Sequence, residues 1–424
     1  MRQWMVAAKK ADFYAIAEKF HVDPVVARII RNREVIGEKN IRIYLGGNLS
    51  DLSDPHQMKD MDRLVEILAQ KIRKQVHIRI IGDYDVDGVT SSHLFLTALR
   101  RVGAKVDVVI PHRIQDGYGL SLHLLQQAKE DGVDTILTCD NGIAAIDEIA
   151  WAKAQKMTVL VTDHHAVPFE EHEGRRTEKK SLADAVVNPH QQDCGYPYKE
   201  LCGAGVAWNV IRVLYENYDM DKREAEDLLD FVAMATVCDV MSLTGENRIL
   251  VKEGLKRIRH TKNIGLQALM QACNVQPENI SAYHFGYVLG PCVNATGRLD
   301  TARHALRLFE TGQETEAEEI ARDLVDLNQE RKELTLQGVE MAKKLCEEGG
   351  YENDPILVLF LPDVHESIAG LIAGRIREMY NRPVFVLTRG EEGVKGSGRS
   401  TENYSMYENM CGCAAVSYTH LRAH

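Results

Sequence analysis

Apolar and polar positions follow two different periods along the chain, and the pattern changes near residue 60. Residues 1–55 combine a helical segment with polar turns. Residues 61–75 then carry apolar side chains at helical spacing, and the following "VHIRIIGDYD" is a short apolar run typical of a strand. Helical patterns at 91–103, 121–132 and 143–156 alternate with strand patterns at 105–110, 134–140 and 157–163. Strands separated by helices of this length predict right-handed βαβ units and a parallel sheet covered on both faces, which is an α/β fold.

The second half of the chain is predicted to begin with helices and to end in another α/β stretch. Residues 200–310 are mostly helical in pattern, and 314–350 contain no proline and one internal glycine, Gly338, which predicts a single long helix. A strand at 355–362, a helix at 367–380, a strand at 382–390 and a glycine-rich turn at 393–400 complete the pattern. We therefore predict a parallel-sheet domain joined by a long helix to a smaller α/β domain. The predicted segments are 1–55 (N-terminal appendage), 56–310 (catalytic domain), 311–348 (connecting helix), 349–410 (partial second domain) and 411–424 (a tail that is not native sequence).

Composition narrows the class of protein. The 424 residues carry a formal net charge of −11, which argues mildly against broad electrostatic capture of nucleic acid but leaves room for a local basic groove. No apolar run approaches the roughly 20 residues that cross a bilayer, and the N-terminus lacks a signal-peptide pattern, so we expect a cytoplasmic protein without a membrane. The nine cysteines form no paired C-x-x-C motifs, which indicates reduced thiols.

The stretch "GDYDVDG" raises the first question about chemistry, because Asp83, Asp85 and Asp87 stand at every second position before Gly88. A calcium loop of the EF-hand type would need a glutamate at its twelfth position, which here is Leu94, and a preceding helix where this chain has a strand pattern. Both requirements fail. An acidic solvated turn remains the structural alternative.

Carboxylates and imidazoles also follow the neighbouring strand patterns. Asp140 ends the strand "DTILTCD", His164 and His165 follow "MTVLVTD", and Asp239 follows the apolar run "ATVC". Each aspartate taken singly is more typical of a helix cap, and each histidine of a hydrogen-bonded structural residue. Because ligands bind outside the carboxyl ends of parallel strands, we expect the clusters to converge at one edge of the sheet.

Aspartates and histidines that converge at one sheet edge predict a metal site. Mixed carboxylate and imidazole ligation without thiolates favours Mn²⁺ or Mg²⁺, with Zn²⁺ also possible. Several carboxylates can share a site only when cations neutralise them, and this number suffices for two ions. Two divalent ions can activate water and stabilise charge on phosphate oxygens, so the predicted reaction is hydrolysis of a phosphoester or phosphoanhydride.

The motifs "DYDVDG", "CDNG", "DHH", "CGAG", "CDVM", "ENR" and "GPCVNATGRLD" resemble those of the DHH phosphoesterase superfamily, and within it the RecJ family of exonucleases. The resemblance covers about residues 60–405. It implies a metal-dependent 5′→3′ exonuclease that degrades single-stranded DNA to mononucleotides in recombination and repair, with two Mn²⁺ or Mg²⁺ ions. It places the metal ligands at Asp83, Asp85, Asp87, Asp140, His164 and Asp239, and the catalytic residues at Asp140, His164 and His165, with His165 beside the reacting phosphate.

The same resemblance implies substrate contacts and partners. Phosphate or DNA contacts are expected at Arg113, Arg298, Ser397, Arg399 and Ser400, although a surface ion pair is an alternative for Arg298. The small residues of "CGAG" could admit a phosphate to backbone N–H groups or allow close helix packing. A strand with a 5′ end is the expected substrate, and a single-strand-binding protein and a helicase are the expected partners.

The sequence is compatible with three hypotheses about function. Besides the exonuclease, the chain could be a DHH phosphodiesterase for short oligonucleotides or cyclic dinucleotides, or a non-catalytic DNA-binding fragment. The family continues beyond "GSGRS" to a Gly-Gly-His element and an OB-like domain, neither of which follows here. Because an OB domain supplies stacking surfaces and a basic groove, a chain without it should bind long DNA weakly.

Overall fold

The computed structural model describes residues 9–113, 116, 119–172, 175–299, 301–390, 393–406 and 409–410. The predicted tail, 411–424, lies outside these residues. No helix in the described ranges combines the length and the apolar character needed to cross a membrane.

Helices make up most of the regular structure. They are α1 (Phe13–Phe20), α2 (Pro24–Asn32), α3 (Glu38–Gly46), α4 (Met61–Arg73), α5 (Val86–Arg101), α6 (Leu122–Glu130), α7 (Ile146–Ala154), α8 (Gly203–Asn217), α9 (Arg223–Glu226), α10 (Leu229–Cys238), α11 (Gly245–Arg257), α12 (Ile264–Ala272), α13 (Ala282–His284), α14 (Gly290–Leu299), α15 (Ala302–Glu310), α16 (Glu314–Gly349) and α17 (Ala369–Tyr380). A π-helical turn, Phe285–Leu289, joins α13 to α14.

The strands form three sheets. They are β1 (Ile78–Ile81), β2 (Val106–Val109), β3 (Thr135–Cys139), β4 (Thr158–Thr162), β5 (Phe169–His172), β6 (Arg175–Glu178), β7 (Ala185–Val187), β8 (Leu357–Phe360), β9 (Val384–Gly390) and β10 (Gly393–Arg399). The largest sheet has the order β2-β1-β3-β4-β7 and all its pairings are parallel. This arrangement confirms the predicted α/β class with a parallel sheet.

Both faces of the parallel sheet are covered, as the continuous apolar strands require. Ile136 and Val161 pack with α6 and α7 in one buried cluster. Leu137 and Leu160 alternate with them along β3 and β4 and are fully buried. Helix α8 contacts both strands, and α5 contacts β3. The carboxyl ends of β1, β3 and β4 therefore open at one edge, and the side chains that follow them meet there.

The described residues divide into two compact units. Unit 1 comprises residues up to 297 together with 301–322, and unit 2 comprises 298–299 together with the described residues from 323 onward. In unit 1, the N-terminal helices α1–α3 enclose a small core around Ile30, Ile41 and Tyr44. In unit 2, the last part of α16 and α17 pack on β8 and β9. The long helix predicted over 314–350 is confirmed by α16, whereas the predicted domain boundaries stay a prediction.

One local expectation was wrong, and one pair of strands was not indicated by the pattern. Strands β5 and β6 pair in antiparallel orientation between β4 and β7 in sequence. The glycine-rich turn predicted at 393–400 is instead strand β10, antiparallel to β9. Its glycines are explained by close packing, because a Cβ at Gly396 would lie 2.4 Å from the Leu387 side chain.

Candidate metal centre

The acidic motif after β1 forms a tight loop that leads directly into α5. Asp83 is fully buried after the strand, and Asp85 caps the helix by accepting a hydrogen bond from the Gly88 N–H at 3.1 Å. A Cβ at Gly88 would lie 2.5 Å from the backbone N and O of Asp83, so only glycine lets the first helical turn pack against the loop. The loop thus delivers three carboxylates within five residues, and α5 begins five residues earlier than its apolar pattern indicates.

Asp87 lies in the first turn of α5 and is held by a second helix. Its two carboxylate oxygens accept hydrogen bonds from the N–H groups of Gly203 and Ala204, at 2.6 and 2.7 Å. These amides belong to the first turn of α8, where the helix leaves N–H groups without intrahelical partners. The small residues of "CGAG" therefore orient a buried carboxylate, a role that neither alternative from the sequence anticipated.

Asp140 follows β3 in a backbone conformation that is uncommon for a residue with a side chain. Its φ is 61° and its side chain is 2% exposed. A Cβ at Gly203 would lie 2.6 Å from the Asp140 Cβ, so the start of α8 approaches this residue closely. Such strained conformations persist where the surroundings determine them, and they concentrate at functional sites.

The histidines after β4 are held by the carboxylate that precedes them. Asp163 Oδ1 accepts hydrogen bonds from the backbone N–H groups of His164 and His165, at 2.7 and 3.0 Å, and lies 2.8 Å from His165 Nδ1. Its Oδ2 accepts from the Ile143 N–H at 2.9 Å. Asn188 completes the support by donating to the His165 carbonyl. These bonds fix the backbone of both histidines and the ring of His165 at the edge of the sheet.

Asp239 reaches the same place from a helix end. It is the C-cap residue of α10, and its side chain remains 27% exposed. The following residue, Val240, has a φ of 58° and is 88% exposed. A β-branched residue in the left-handed region is strained, so the turn after α10 is held in place by its surroundings.

The side chains from these elements converge on His164. Its Nε2 lies 3.0 Å from Asp140 Oδ1 and 3.7 Å from both Asp87 Oδ2 and Asp239 Oδ2. Three overlapping groups place their ligand atoms within 4.8 Å of one another: Asp83, Asp85 and Asp140; Asp87, His164 and Asp239; and Asp140, His164 and His165. The structure thus brings together all six predicted metal ligands and His165, and Asp140 belongs to two groups.

Crowding of carboxylates changes their affinity for protons. Burial raises the pKa of Asp140 well above its usual value, and the charges of Asp87, Asp85, Asp83 and Asp239 add to the effect. Burial and Asp87 likewise raise the pKa of Asp239 to about 8. Burial raises the pKa of Asp87 too, although the charge of His164 opposes the shift. Without a cation, this cluster holds protons that ordinary aspartates have lost.

In the pair of Asp163 and His165, by contrast, the pKa shifts favour the charged form of both side chains. Burial lowers the pKa of His165, but the hydrogen bond to Asp163 and the nearby carboxylates outweigh burial and raise the pKa to about 9. Burial would raise the pKa of Asp163, yet its bond with His165 brings the value below the usual range. His165 therefore carries a positive charge at neutral pH.

The donor set fits divalent cations. Asp140 Oδ1 and His164 Nε2 are buried, lie 3.0 Å apart, and have no hydrogen-bond partner in the described part of the chain. Leaving buried polar atoms unsatisfied costs about 1–3 kcal/mol each, which a shared cation would offset. Carboxylate oxygens with one imidazole suit Mn²⁺ or Mg²⁺. The described cysteines are free thiols, and none belongs to the three groups.

The predicted substrate-binding residues lie in different parts of the chain. Arg113 stacks on the ring of Tyr84, with its guanidinium carbon 4.9 Å from the centroid, so it flanks the acidic loop. In unit 2, Arg298 donates to the Ser367 carbonyl at 2.7 Å, and Ser400 Oγ accepts from the Met406 N–H. Ser397 and Arg399 lie on β10 rather than on a turn, and both face Gly370 at the start of α17.

Two groups that support the site have no role predicted from the sequence. Asp163 ends a predicted strand, and its place before two histidines is the signal that it could orient them. The α8 amides carry no side-chain signal. Tyr283 and Tyr287 also have no predicted role, and they stack with ring centroids 5.1 Å apart and are 63% and 72% exposed.

Comparison with known proteins places the chain in a family. Residues 77–236 match the DHH family, N-terminal domain. The single-stranded-DNA-specific exonuclease RecJ of Haemophilus influenzae is 36% identical over 397 residues, which cover 90% of this chain and 67% of that protein. RecJ of Bacillus subtilis is 33% identical and matches 95% of this chain, but this chain spans only 49% of that relative.

Solved structures agree with the sequence relatives. A crystal structure of exonuclease RecJ bound to manganese has a TM-score of 0.72 and 32% identity, and the match covers 84% of this chain and 85% of that chain. RecJ of Thermus thermophilus in complex with Mg²⁺ has a TM-score of 0.72 and 27% identity, covering 96% of this chain and 54% of that chain. The chain belongs to the RecJ family of the DHH superfamily.

Proposed function

We propose that the chain is a metal-dependent exonuclease that hydrolyses single-stranded DNA from its 5′ end to mononucleotides, in recombination and repair. The observation that carries the proposal is the set of three overlapping carboxylate and histidine groups at one sheet edge. The relatives named above are single-stranded-DNA-specific exonucleases, and related structures hold Mn²⁺ or Mg²⁺. Because the chain spans from half to two thirds of those relatives, the activity of the whole protein is part of the proposal.

Two divalent ions would be held by the six residues of this cluster, which are Asp83, Asp85, Asp87, Asp140, His164 and Asp239. When bound, such a pair supplies a Lewis acid that stabilises charge on the phosphate oxygens and activates water. The α8 amides and Asp163 hold the ligands in fixed orientation, as partners of metal ligands commonly do.

His165 would act on the substrate rather than on a metal ion. Its hydrogen bond to Asp163 keeps the ring protonated and fixes Nδ1, so Nε2 can donate to a phosphate oxygen. Positive charge aimed at the scissile phosphate stabilises the charge that develops there during hydrolysis. Arg113, which flanks the acidic loop, would neutralise a neighbouring phosphate.

Exposed aromatic rings on a segment that contacts α10 are suited to binding a single strand. The segment that carries Tyr283 and Tyr287 packs on α10 just before Asp239, because Cys238 Sγ donates to the Phe285 carbonyl at 3.3 Å. Stacked, solvent-exposed tyrosines are suitable platforms for nucleobases, whose faces are apolar whatever the sequence. We therefore include these two rings in the proposed path of the DNA.

Residues of unit 2 and the cellular context complete the proposal. Arg298, Ser397, Arg399 and Ser400 would bind phosphates of the strand. A single-strand-binding protein and a helicase would supply the substrate, and the location would be the cytoplasm, where both act on DNA.

The test compares two aspartates at opposite ends of one strand. Asp140 follows β3, whereas Asp134 precedes it and pairs with Lys71 at 2.5 Å. Purified wild-type chain with Mn²⁺ should release mononucleotides from 5′-phosphorylated single-stranded DNA. Asp140→Asn should reduce release to the background rate, and Asp134→Asn should leave it close to wild type.

Substrate panels separate the remaining alternatives. Preference for a dinucleotide or a cyclic dinucleotide over a long strand would assign a short-substrate phosphodiesterase. DNA binding without Mn²⁺-dependent release in the wild type would assign a non-catalytic fragment. Equal release by wild type and Asp140→Asn would remove the assignment of this centre.

A further inference from the structure

A second site in unit 1 is indicated by a cavity of about 690 Å³ that none of the metal-centre residues lines. Its walls come from the middle of α5, the start of α10, the end of α11 and the end of α15, with residues 260–264 between them. Cavities of roughly 300–1,000 Å³ are the size that encloses small ligands in proteins.

One side of the cavity is an aromatic cluster. The ring of His93 lies 4.4 Å from that of Phe231 and 5.8 Å from that of Phe309, measured between centroids. The two phenylalanine rings are themselves 5.0 Å apart. Leu96 and Leu228 extend this apolar surface. A planar ring is the shape that packs best against such a surface.

His93 brings a polar atom into this apolar wall. Its side chain is 6% exposed, and its Nδ1 is buried without a hydrogen-bond partner among the residues that the structure describes. Burial lowers the pKa of His93 to about 3, so the ring is neutral and has one donor and one acceptor nitrogen. His93 also lines the cavity, so its neutral ring is a hydrogen-bonding group that a ligand would meet in this wall.

Asp230 is the second polar group of the interior. It is 3% exposed, accepts hydrogen bonds from Thr261 Oγ1 at 2.7 Å and from the Phe231 N–H at 2.8 Å, and forms no ion pair within the described ranges. Each carboxylate oxygen keeps a lone pair for another donor. An N–H group on a planar ring would meet this need, as it does where aspartate reads the amino group of cytosine.

The rim carries charges of both signs. Arg100, Lys256, Arg257 and Lys262 line the cavity together with Asp227, Asp230 and Glu310. Lys256 pairs with Glu253 at 2.7 Å and Arg257 pairs with Glu226 at 2.6 Å. Arg100 is 3.9 Å from Glu310, and Lys262 is 3.9 Å from Asp227, so these two cations can turn toward a ligand. Two such cations suit a single phosphate group better than a polyphosphate.

We infer that the cavity binds a nucleoside monophosphate, with the base against the aromatic wall near His93 and Asp230 and the phosphate among the rim cations. The inference rests on the cavity alone and not on the proposed nuclease activity. Both can therefore succeed or fail separately. The site also lies along two helices that reach the metal centre, since α5 begins directly after Asp85 and α10 ends beside Asp239.

The test is a calorimetric titration of the full chain in EDTA, where the metal centre cannot hold a nucleotide through cations. dCMP and dAMP are compared with the corresponding deoxynucleosides and with inorganic phosphate. His93→Phe keeps the ring cluster and removes the polar atoms, so it should weaken nucleotide and nucleoside binding by roughly tenfold, the loss expected for one buried hydrogen bond. Arg100→Gln should weaken nucleotide binding only.

Arg101→Gln is the matched control, because Arg101 neighbours Arg100 in sequence but pairs with Glu224 at 2.7 Å and does not line this cavity. Its binding should equal that of the wild type. The histidine resonances of the wild-type chain give an independent readout, and addition of dCMP should shift those of His93. Absence of saturable binding at millimolar nucleotide, unchanged affinity in His93→Phe, or equal affinity for inorganic phosphate would overturn the inference.

Discussion

At the scale of single residues, Asp163 determines the charge of its neighbour. It is buried, binds three backbone N–H groups and holds the His165 ring, while its own pKa is lowered by that contact. Asp163→Asn keeps the shape but removes the negative charge. We expect the pKa of His165 to fall from about 9 toward 6.5, because burial then acts without the opposing carboxylate.

Histidine titration of the metal-free chain by NMR measures this change. His56 is the internal control, since its pKa is raised by Asp62 and Glu216 rather than by the centre, and it should not move. Loss of a residue that orients an active-site group costs roughly 10- to 100-fold in activity or metal affinity. An unchanged pKa of His165 in Asp163→Asn would show that other groups keep the ring charged.

The sequence identified the ligands better than it identified their support. Asp140 and His164 follow strand patterns, and strand ends of a parallel sheet share one edge, so their convergence was predictable. That Asp87 binds the amides of Gly203 and Ala204 was not, because the contact joins residues 116 and 117 positions apart and depends on where α8 starts. Backbone N–H donors such as these cannot be recognised from residue types, except that the residues around them are small.

At the scale of elements, the start of α8 sets the position of two carboxylates. Gly203→Ala would place a Cβ 2.6 Å from the Asp140 Cβ and would displace the amides that hold Asp87. We expect a loss of Mn²⁺ affinity of roughly 10- to 100-fold, in line with other supports of metal ligands. Calorimetric titration with Mn²⁺ measures it.

Gly205 on the same helix provides the control. A Cβ there would make an ordinary contact at 3.4 Å with Leu201, so Gly205→Ala should bind Mn²⁺ as the wild type does. Equal affinities for the two variants would contradict the idea that α8 positions the ligands. Circular dichroism of both variants would confirm that α8 is intact.

The segment from α13 to α14 supports a separate prediction about DNA. Tyr287→Ala removes one of the two stacked rings, and a base that loses such a platform loses about 1–3 kcal/mol of binding. We expect a higher KM for single-stranded DNA with kcat nearly unchanged. Tyr14→Ala, which removes an equally exposed ring from α1, should change neither constant. A fall in kcat alone would place Tyr287 in the chemical step.

Strand β10 is the element for which the sequence pattern gave the wrong prediction. A run of glycines at 393–400 favours a turn in the sequence, yet it forms β10 because Leu387 and Phe385 of the paired strand occupy the space that side chains would take. Long-range packing decided this element. The helix α16 was predictable because its length needs only local preference and no partner strand.

At the scale of the molecule, the metal centre couples stability to pH. The raised pKa values of Asp140 and Asp239 mean that the folded, metal-free chain holds protons that the unfolded chain loses above about 4. Stability therefore falls as pH rises from about 4 through the folded pKa, which for Asp239 is about 8. His165 acts in the same direction, since its contribution is present below 6.5 and is lost as pH rises through about 9.

Mn²⁺ should reverse this loss, because cations bind deprotonated carboxylates and compete with protons at acidic pH. We expect Mn²⁺ to raise the melting temperature more at pH 8 than at pH 5.5. A ligand at 100 times its Kd adds about 2.7 kcal/mol, which corresponds to several degrees. Asp140→Asn supplies the sharpest comparison. In EDTA at pH 8 it should melt above the wild type, because folding no longer has to bury a carboxyl group that the unfolded chain ionises freely, and it should gain less from Mn²⁺. A metal-free melting temperature that is constant between pH 5.5 and 8 would contradict the coupling, because carboxylates that exchange no protons on unfolding cannot make stability depend on pH.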